Sequence, residues 1–249
     1  METSAKTVNE LNSLFSAFEV IDLSHTLENG IPRWPTHPGF KLEKAFTYEK
    51  CGYYNQTIRT SEHTGPHVDT PSHIHRGMLS HTIDRVPAGF LLAPAVVYDM
   101  ESLGLEAGEQ ASAADVLALE ASMGEAVKEN EIALLKYGWD RYWKIDDEAG
   151  YYAKNAPGLD ESAVRLFYER RVKAVGGDTV ACELAQKDGE CKIQYGHDKL
   201  WLPNGILIME ALCNLSALPH RCFFMAIPLK LKEGSGSPIR PIALVPRRK

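Results

Sequence analysis

The chain has 249 residues, 44% of them hydrophobic, and a formal net charge of −6 with the signs interspersed. That length and composition suit a globular protein with a sizeable core, and the acidic balance lacks the basic footprint of a nucleic-acid binder. Five cysteines, at 51, 182, 191, 213 and 222, form an odd and scattered set with no CxxC pair, which argues against a disulfide framework and for a reducing compartment.

The opening METSAKTVNELNSLFSAF lacks the long apolar run of a secretory leader. No later run approaches the ~20 apolar residues of a membrane span. The expected location is the cytoplasm, with no membrane and no nucleic acid as partner. Asn9 to Phe18 predicts a short amphipathic helix within an N-terminal extension, 1–18. Val20 to Ser24 reads as a strand, followed by a turn-rich stretch from Asn29 to Pro35. Residues 56–63 alternate as a strand does. Leu91 to Tyr98 is a buried-strand candidate that Pro94 makes imperfect. Ser112 and Asp115 supply a capping pattern for a helix running to about Val127. Ile132 to Leu135 reads as a buried strand. Pro157 to Asp160 caps a second helix over 161–171, and Val172 to Val175 predicts a strand ending at Gly176-Gly177-Asp178. Gly205 to Leu215 fits strand or helix equally. Phe223 to Leu229 and Ile242 to Val245 are late strands, and Arg247-Arg248-Lys249 is a solvated tail. Strands separated by helices predict an α/β fold with a mixed sheet, as one domain spanning 1–249.

The densest chemistry lies at 63–73, HTGPHVDTPSH, where three histidines and an aspartate fall within eleven residues. Imidazole and carboxylate are the usual ligands of a borderline divalent cation. A helix is opposed by Gly65, Pro66 and Pro71. An extended chain puts His63, His67, Asp69 and His73 on one face, yet a straight strand separates residues 63 and 67 by ~13 Å. A bend at Gly65-Pro66 is therefore required to draw His63 towards His67 and Asp69. Pro71 then turns the chain and brings His73 back over the site. His75 and His81 read as surface residues or supports for the ligands. Three ligands leave an open position, which suits catalysis better than a closed structural site. The distant candidates to complete the set are His197 and Glu210; a carboxyl closing the apolar run Ile206 to Met209 is costly unless paired or metal-bound.

These residues resemble the cyclase family of metal-dependent hydrolases, which includes bacterial kynurenine formamidase and isatin hydrolase. The family signature HxGTHxDxPxH is matched at every fixed position but one, with Pro66 where threonine is usual. Asp22-Leu-Ser-His25 with Pro32-Arg-Trp34-Pro35, Tyr137-Gly138-Trp139, Ala156-Pro157-Gly158-Leu159, Val175-Gly-Gly-Asp178-Thr179 and the block from His197 to Glu210 resemble further family segments in the same order. The resemblance implies a swivelling β/α/β-type fold assembled as homodimers or homotetramers. It implies His63, His67 and Asp69 as metal ligands and His73 as general acid/base. His197 and Glu210 would complete a second metal position, or bind water and substrate at a single one. Trp34 would line the substrate pocket. Asp178 reads equally as a functional group or as a strand-end cap.

The implied activity is metal-dependent hydrolysis of an amide C–N bond, in a small cyclic amide or an N-formyl aromatic amine, by water activated on one or two Zn or Mn ions. Trp34, with Phe46, Tyr53 or Tyr54, offers rings for an aromatic substrate. The GxDT and late-glutamate blocks lie closer to the isatin-hydrolase-like branch. The competing reading is a non-catalytic metal- or ligand-binding protein that retains the fold. Pro66 favours that reading and an intact His73 opposes it. Cys51 has no identifiable base and is not expected to act as a nucleophile.

Overall fold

The computed structural model describes residues 2–147 and 150–247. Arg248 and Lys249 of the expected basic tail lie outside them. Nine strands of these residues form one mixed sheet: β1 (Phe18–Asp22), β2 (His67–Asp69), β3 (Leu92–Tyr98), β4 (Ile132–Leu135), β5 (Ala174–Gly177), β6 (Leu207–Glu210), β7 (Arg221–Met225), β8 (Gly236–Pro238) and β9 (Ile242–Pro246). Their spatial order is β1-β9-β7-β3-β4-β5-β6-β2-β8. The four central strands, β3 to β6, run parallel, and the pairings outside them are antiparallel. Parallel neighbours need crossovers; here helix α2 (Ala113–Met123) joins β3 to β4 and α3 (Glu161–Glu169) joins β4 to β5. The mixed-sheet α/β expectation is met.

Local chemistry sets these helix boundaries. Ser112 and Asp115 form the reciprocal capping box at the start of α2, and Gly124, at φ +70°, ends it. Asp160 caps α3 by accepting the Ala163 N–H at 3.0 Å. The first helix, α1 (Glu2–Ser16), starts earlier than its apolar pattern suggested and stops before Phe18, which enters β1. Pro94 is tolerated in β3 because pairing with β4 begins only at Ala95. The ambiguous segment 205–215 contributes β6 as a strand.

Successive central-strand residues serve two cores, as a period of two requires. Val96, Tyr98, Ala133, Leu135, Val175 and Ile208 join Val116, Val164 and Phe167 of α2 and α3. Ala95, Val97, Ile132, Leu134, Ala174, Leu207 and Met209 pack with Val68, Phe224 and Ala243. Because strands from both ends of the order share this second core, the sheet curls around it. Residues 56–63 depart from expectation. Only Asn55–Arg59 is extended, paired with Lys41–Phe46 in a separate two-stranded hairpin, and the chain then bends from Glu62 to Pro66 into β2. Phe46, Tyr53 and Tyr54 sit on that hairpin or its connection, exposed.

Candidate metal centre

Strand β2 lies between β6 and β8 and is antiparallel to both, with Glu210 directly opposite His67 and Ile208 opposite Asp69. This register sets two carboxyls and an imidazole on one face. The bend expected before β2 is present: Gly65 has φ +67°, a left-handed conformation that glycine adopts without penalty, and a Cβ there would lie 2.4 Å from Leu27 Cδ2. The His63 and His67 rings consequently approach to 5.3 Å between centroids. Pro66 is buried and its carbonyl accepts the Ile239 N–H at 2.9 Å. Beyond Pro71 the chain turns through a short 3₁₀ segment, and the His73 ring packs on His63 at 3.8 Å.

The expected ligands meet around Asp69. His63 Nδ1 lies 2.6 Å from Asp69 Oδ1 and His67 Nε2 lies 3.4 Å from the same oxygen. Across the strand pair, His67 Nε2 is 3.4 Å from Glu210 Oε2. His197 Nε2 is 3.5 Å from Asp69 Oδ2 and 3.2 Å from Glu210 Oε1. Two donor sets result, His63-His67-Asp69 and Asp69-His197-Glu210, each with its ligand atoms within 4.8 Å of one another. Asp69 belongs to both.

Backbone and side-chain partners fix which nitrogen faces inward. His67 Nδ1–H donates to the Gly65 carbonyl at 2.8 Å, leaving Nε2 towards the carboxyls. His197 sits on a five-residue π-helical turn, Gly196–Leu200, an element often found at functional sites. Glu183, which the sequence reading missed, anchors this turn. It accepts the Gly196 N–H at 2.7 Å, the His197 N–H at 2.8 Å and His197 Nδ1–H at 2.6 Å. A Cβ on residue 196 would lie 2.8 Å from Glu183 Oε1 and closer still to the Trp201 ring, so only glycine admits this approach. The signal was available: Glu183 interrupts the apolar stretch Val180 to Ala185, the same argument that singled out Glu210. His75 supports the centre from below by donating Nε2–H to the His197 carbonyl at 2.9 Å. The Ser235 hydroxyl lies 2.8 Å from His63 Nε2 and is held by Glu62.

The electrostatics fit a bound cation. Burial opposes charge on His197, yet hydrogen bonds to Asp69, Glu183 and Glu210 carry its pKa well above the usual histidine value. His63 is likewise raised against the effect of burial, mainly by Asp69. Burial would raise Asp69, but His63 and His67 hold it well below the usual carboxylate range. Burial and the neighbouring Asp69 push Glu210 up. Buried carboxyls thus draw protons onto two imidazoles, and the N/O donor set with its surplus of negative charge suits a divalent cation in their place. His73 behaves differently: burial lowers it to about 4, keeping it neutral at pH 7.

The donor sets open onto a cavity of about 280 Å³ lined by Arg33, Trp34, His37, His73, Trp143 and Tyr152 among others. Trp34 lines this cavity; Phe46, Tyr53 and Tyr54 do not. Asp178 is buried and accepts the Tyr137 and Trp139 N–H groups at 2.9 and 3.1 Å. It is the strand-end cap of the structural reading. Burial pushes it up to about 7 against those two bonds. His81 lies on the surface.

Residues 21–184 match the family model described as "Putative cyclase". The chain belongs to the cyclase family. This cyclase-family chain is 27% identical over 248 residues to an isatin hydrolase of Roseibium aggregatum, covering 92% of each. It is 28% identical over 233 residues to a kynurenine formamidase of Bacillus cytotoxicus, covering 91% of this chain and 97% of that one. Its fold is similar to that of isatin hydrolase A from Labrenzia aggregata bound to benzyl benzoate, with a TM-score of 0.84 at 27% identity, over 97% of this chain and 100% of the other. A second isatin hydrolase, bound to the product analogue thioisatinate, superposes with a TM-score of 0.82 at 23% identity, over 99% of this chain and 100% of the other.

Proposed function

We propose that this chain is a metal-dependent hydrolase that cleaves the amide C–N bond of a small cyclic amide or an N-formyl aromatic amine. The observation that carries the reading is the pair of donor sets sharing Asp69 at the floor of a cavity that also holds His73. His63, His67 and Asp69 would hold one cation, and His197 and Glu210 would complete a second position with Asp69 or bind water and substrate at a single one, with Zn²⁺ and Mn²⁺ both suited to N/O ligands. When bound, a divalent cation supplies Lewis acidity, acidifying water and polarising the amide carbonyl. His73 starts neutral and accepts a proton as water attacks, then returns it to the leaving nitrogen. Trp34 offers an aromatic face to the substrate.

Residues 1–249 act as one domain, because the sheet draws strands from both Phe18–Asp22 and Ile242–Pro246. Val8, Leu11 and Leu14 on α1, with Phe46, Tyr48, Tyr53, Tyr54 and Ile58 around the hairpin, are exposed apolar groups that a homodimer or homotetramer would cover. The cytoplasmic reading is supported by five free cysteines; no helix among the described residues is long and apolar enough to cross a membrane.

The test is turnover of a panel of formanilides, cyclic imides and lactones by protein loaded with Zn²⁺ or Mn²⁺. Activity abolished by chelator and restored by metal supports the hydrolase. His73→Ala, with metal content confirmed, should lower kcat by about 10²–10⁴; near-normal turnover removes the acid/base role. Metal binding without turnover of any class selects the non-catalytic alternative.

A further inference from the structure

The segment Pro32-Arg33-Trp34-Pro35 carries a residue that the hydrolase reading leaves unused. Arg33 lines the same cavity as the donor sets and is the one lining residue with a permanent positive charge. Its Nε–H donates to the His37 carbonyl at 2.9 Å. The His37 N–H in turn closes a turn on the Trp34 carbonyl at 3.0 Å. The guanidinium is thus tethered to its own loop through Nε, and no Asp or Glu among the described residues pairs with its terminal nitrogens. Arg33 is exposed, and Arg59, Arg76 and Arg85 likewise lack such a partner, but none of those three lines this cavity. Asp146 and Asp147 border an adjoining cleft with Arg33, yet neither forms an ion pair with it. A tethered guanidinium with a free fork of N–H donors matches the two oxygens of a carboxylate.

We propose, building on the hydrolase reading, that the substrate carries a carboxylate and that Arg33 binds it at the cavity entrance, beside the ring that Trp34 faces. Arg33 then sets substrate choice: an amide on an anionic aromatic or ring compound is preferred over its neutral counterpart.

The experiment compares N-formylanthranilate with N-formylanthranilamide, which share the scissile amide and differ in carboxylate against carboxamide. For metal-loaded wild-type protein, kcat/KM should favour the carboxylate by about tenfold or more, chiefly through KM. Arg33→Gln should bring that ratio close to one, and Arg33→Lys should retain part of it, with folding checked by thermal melts. A wild-type ratio near one, or a ratio that Arg33→Gln leaves intact, overturns the proposal. Calorimetric binding of anthranilate and anthranilamide to metal-stripped protein reads the same preference without turnover. If neither formyl compound nor any cyclic imide or lactone of the panel is cleaved but the anion is bound preferentially in an Arg33-dependent way, the hydrolase reading falls and the anion site stands. If cleavage proceeds without preference, the reverse holds.

Discussion

Glu183→Gln tests the architecture of the centre most directly. Glu183 is 2% exposed and accepts three N–H groups, at 2.7, 2.8 and 2.6 Å. Glutamine keeps the shape but offers one oxygen. If that oxygen stays with His197, the amide nitrogen faces the Gly196 N–H, donor against donor. One buried N–H is then unpaired and the charge-assisted bond to the imidazole is weakened, a loss of about 2–4 kcal/mol. For a chain of this size that is a fall in Tm of roughly 5–15 °C. The His197 ring also loses its orienting partner, and such losses cost about 10–100-fold in metal affinity. The effect should fall on the Asp69-His197-Glu210 set and spare His63-His67-Asp69. Calorimetric metal titration, metal content by mass spectrometry and thermal melts with and without metal make the measurement. A variant that binds each equivalent of metal with wild-type affinity and melts within a degree or two of wild type refutes the reasoning.

Three further outcomes are expected. Gly65→Ala forces a Cβ into the left-handed region at about 1–2 kcal/mol and against Leu27, so it should pull His63 away from His67 and weaken metal binding; unchanged metal affinity removes the bend from the account. Chelation should lower Tm, since a cation at a hundred times its Kd adds about 2.7 kcal/mol; a Tm indifferent to both chelator and added metal means the donor sets hold no cation. His25 is lowered to about 4 by burial, against the pull of Asp140, so it is neutral in the fold while the unfolded chain takes up a proton near ~6.5. Its contribution is complete above that pH and is lost as pH falls towards 4, about 1–2 kcal/mol by pH 5. His25→Phe, which keeps the stack on Trp143, should flatten the acid limb of urea midpoints, and a parallel limb contradicts this.

Much of the centre was legible because its half at 63–73 is local. The side-chain period and the two prolines sufficed to predict the bend and the return of His73. His197 and Glu210 were reachable through resemblance and through the cost of a buried carboxyl. Glu183 obeys the same rule but was passed over, because its meaning depends on a turn that begins thirteen residues later and becomes visible only when folded. Among the elements, β4 and the capped α2 and α3 were readable from apolar runs and capping residues, although α2 and α3 ended earlier than expected. Residues 56–63 misled because alternation marks a strand without saying whether its apolar side is buried. On this hairpin Ile58 is 63% exposed, so the pattern says nothing about the core.

The sharing of Asp69 between two donor sets also bears on how the chain folds and unfolds. One set is confined to residues 63–69, while the other needs His197 and Glu210, joined to β2 only when β6 pairs with it. An unfolded chain therefore offers a cation a flexible half-site and never the whole. Pairings so distant in sequence form late, so a cation bound across them acts mainly on the rate of opening and little on the rate of folding. The stability that metal supply adds would therefore show itself as a longer lifetime of the folded state and not as faster folding.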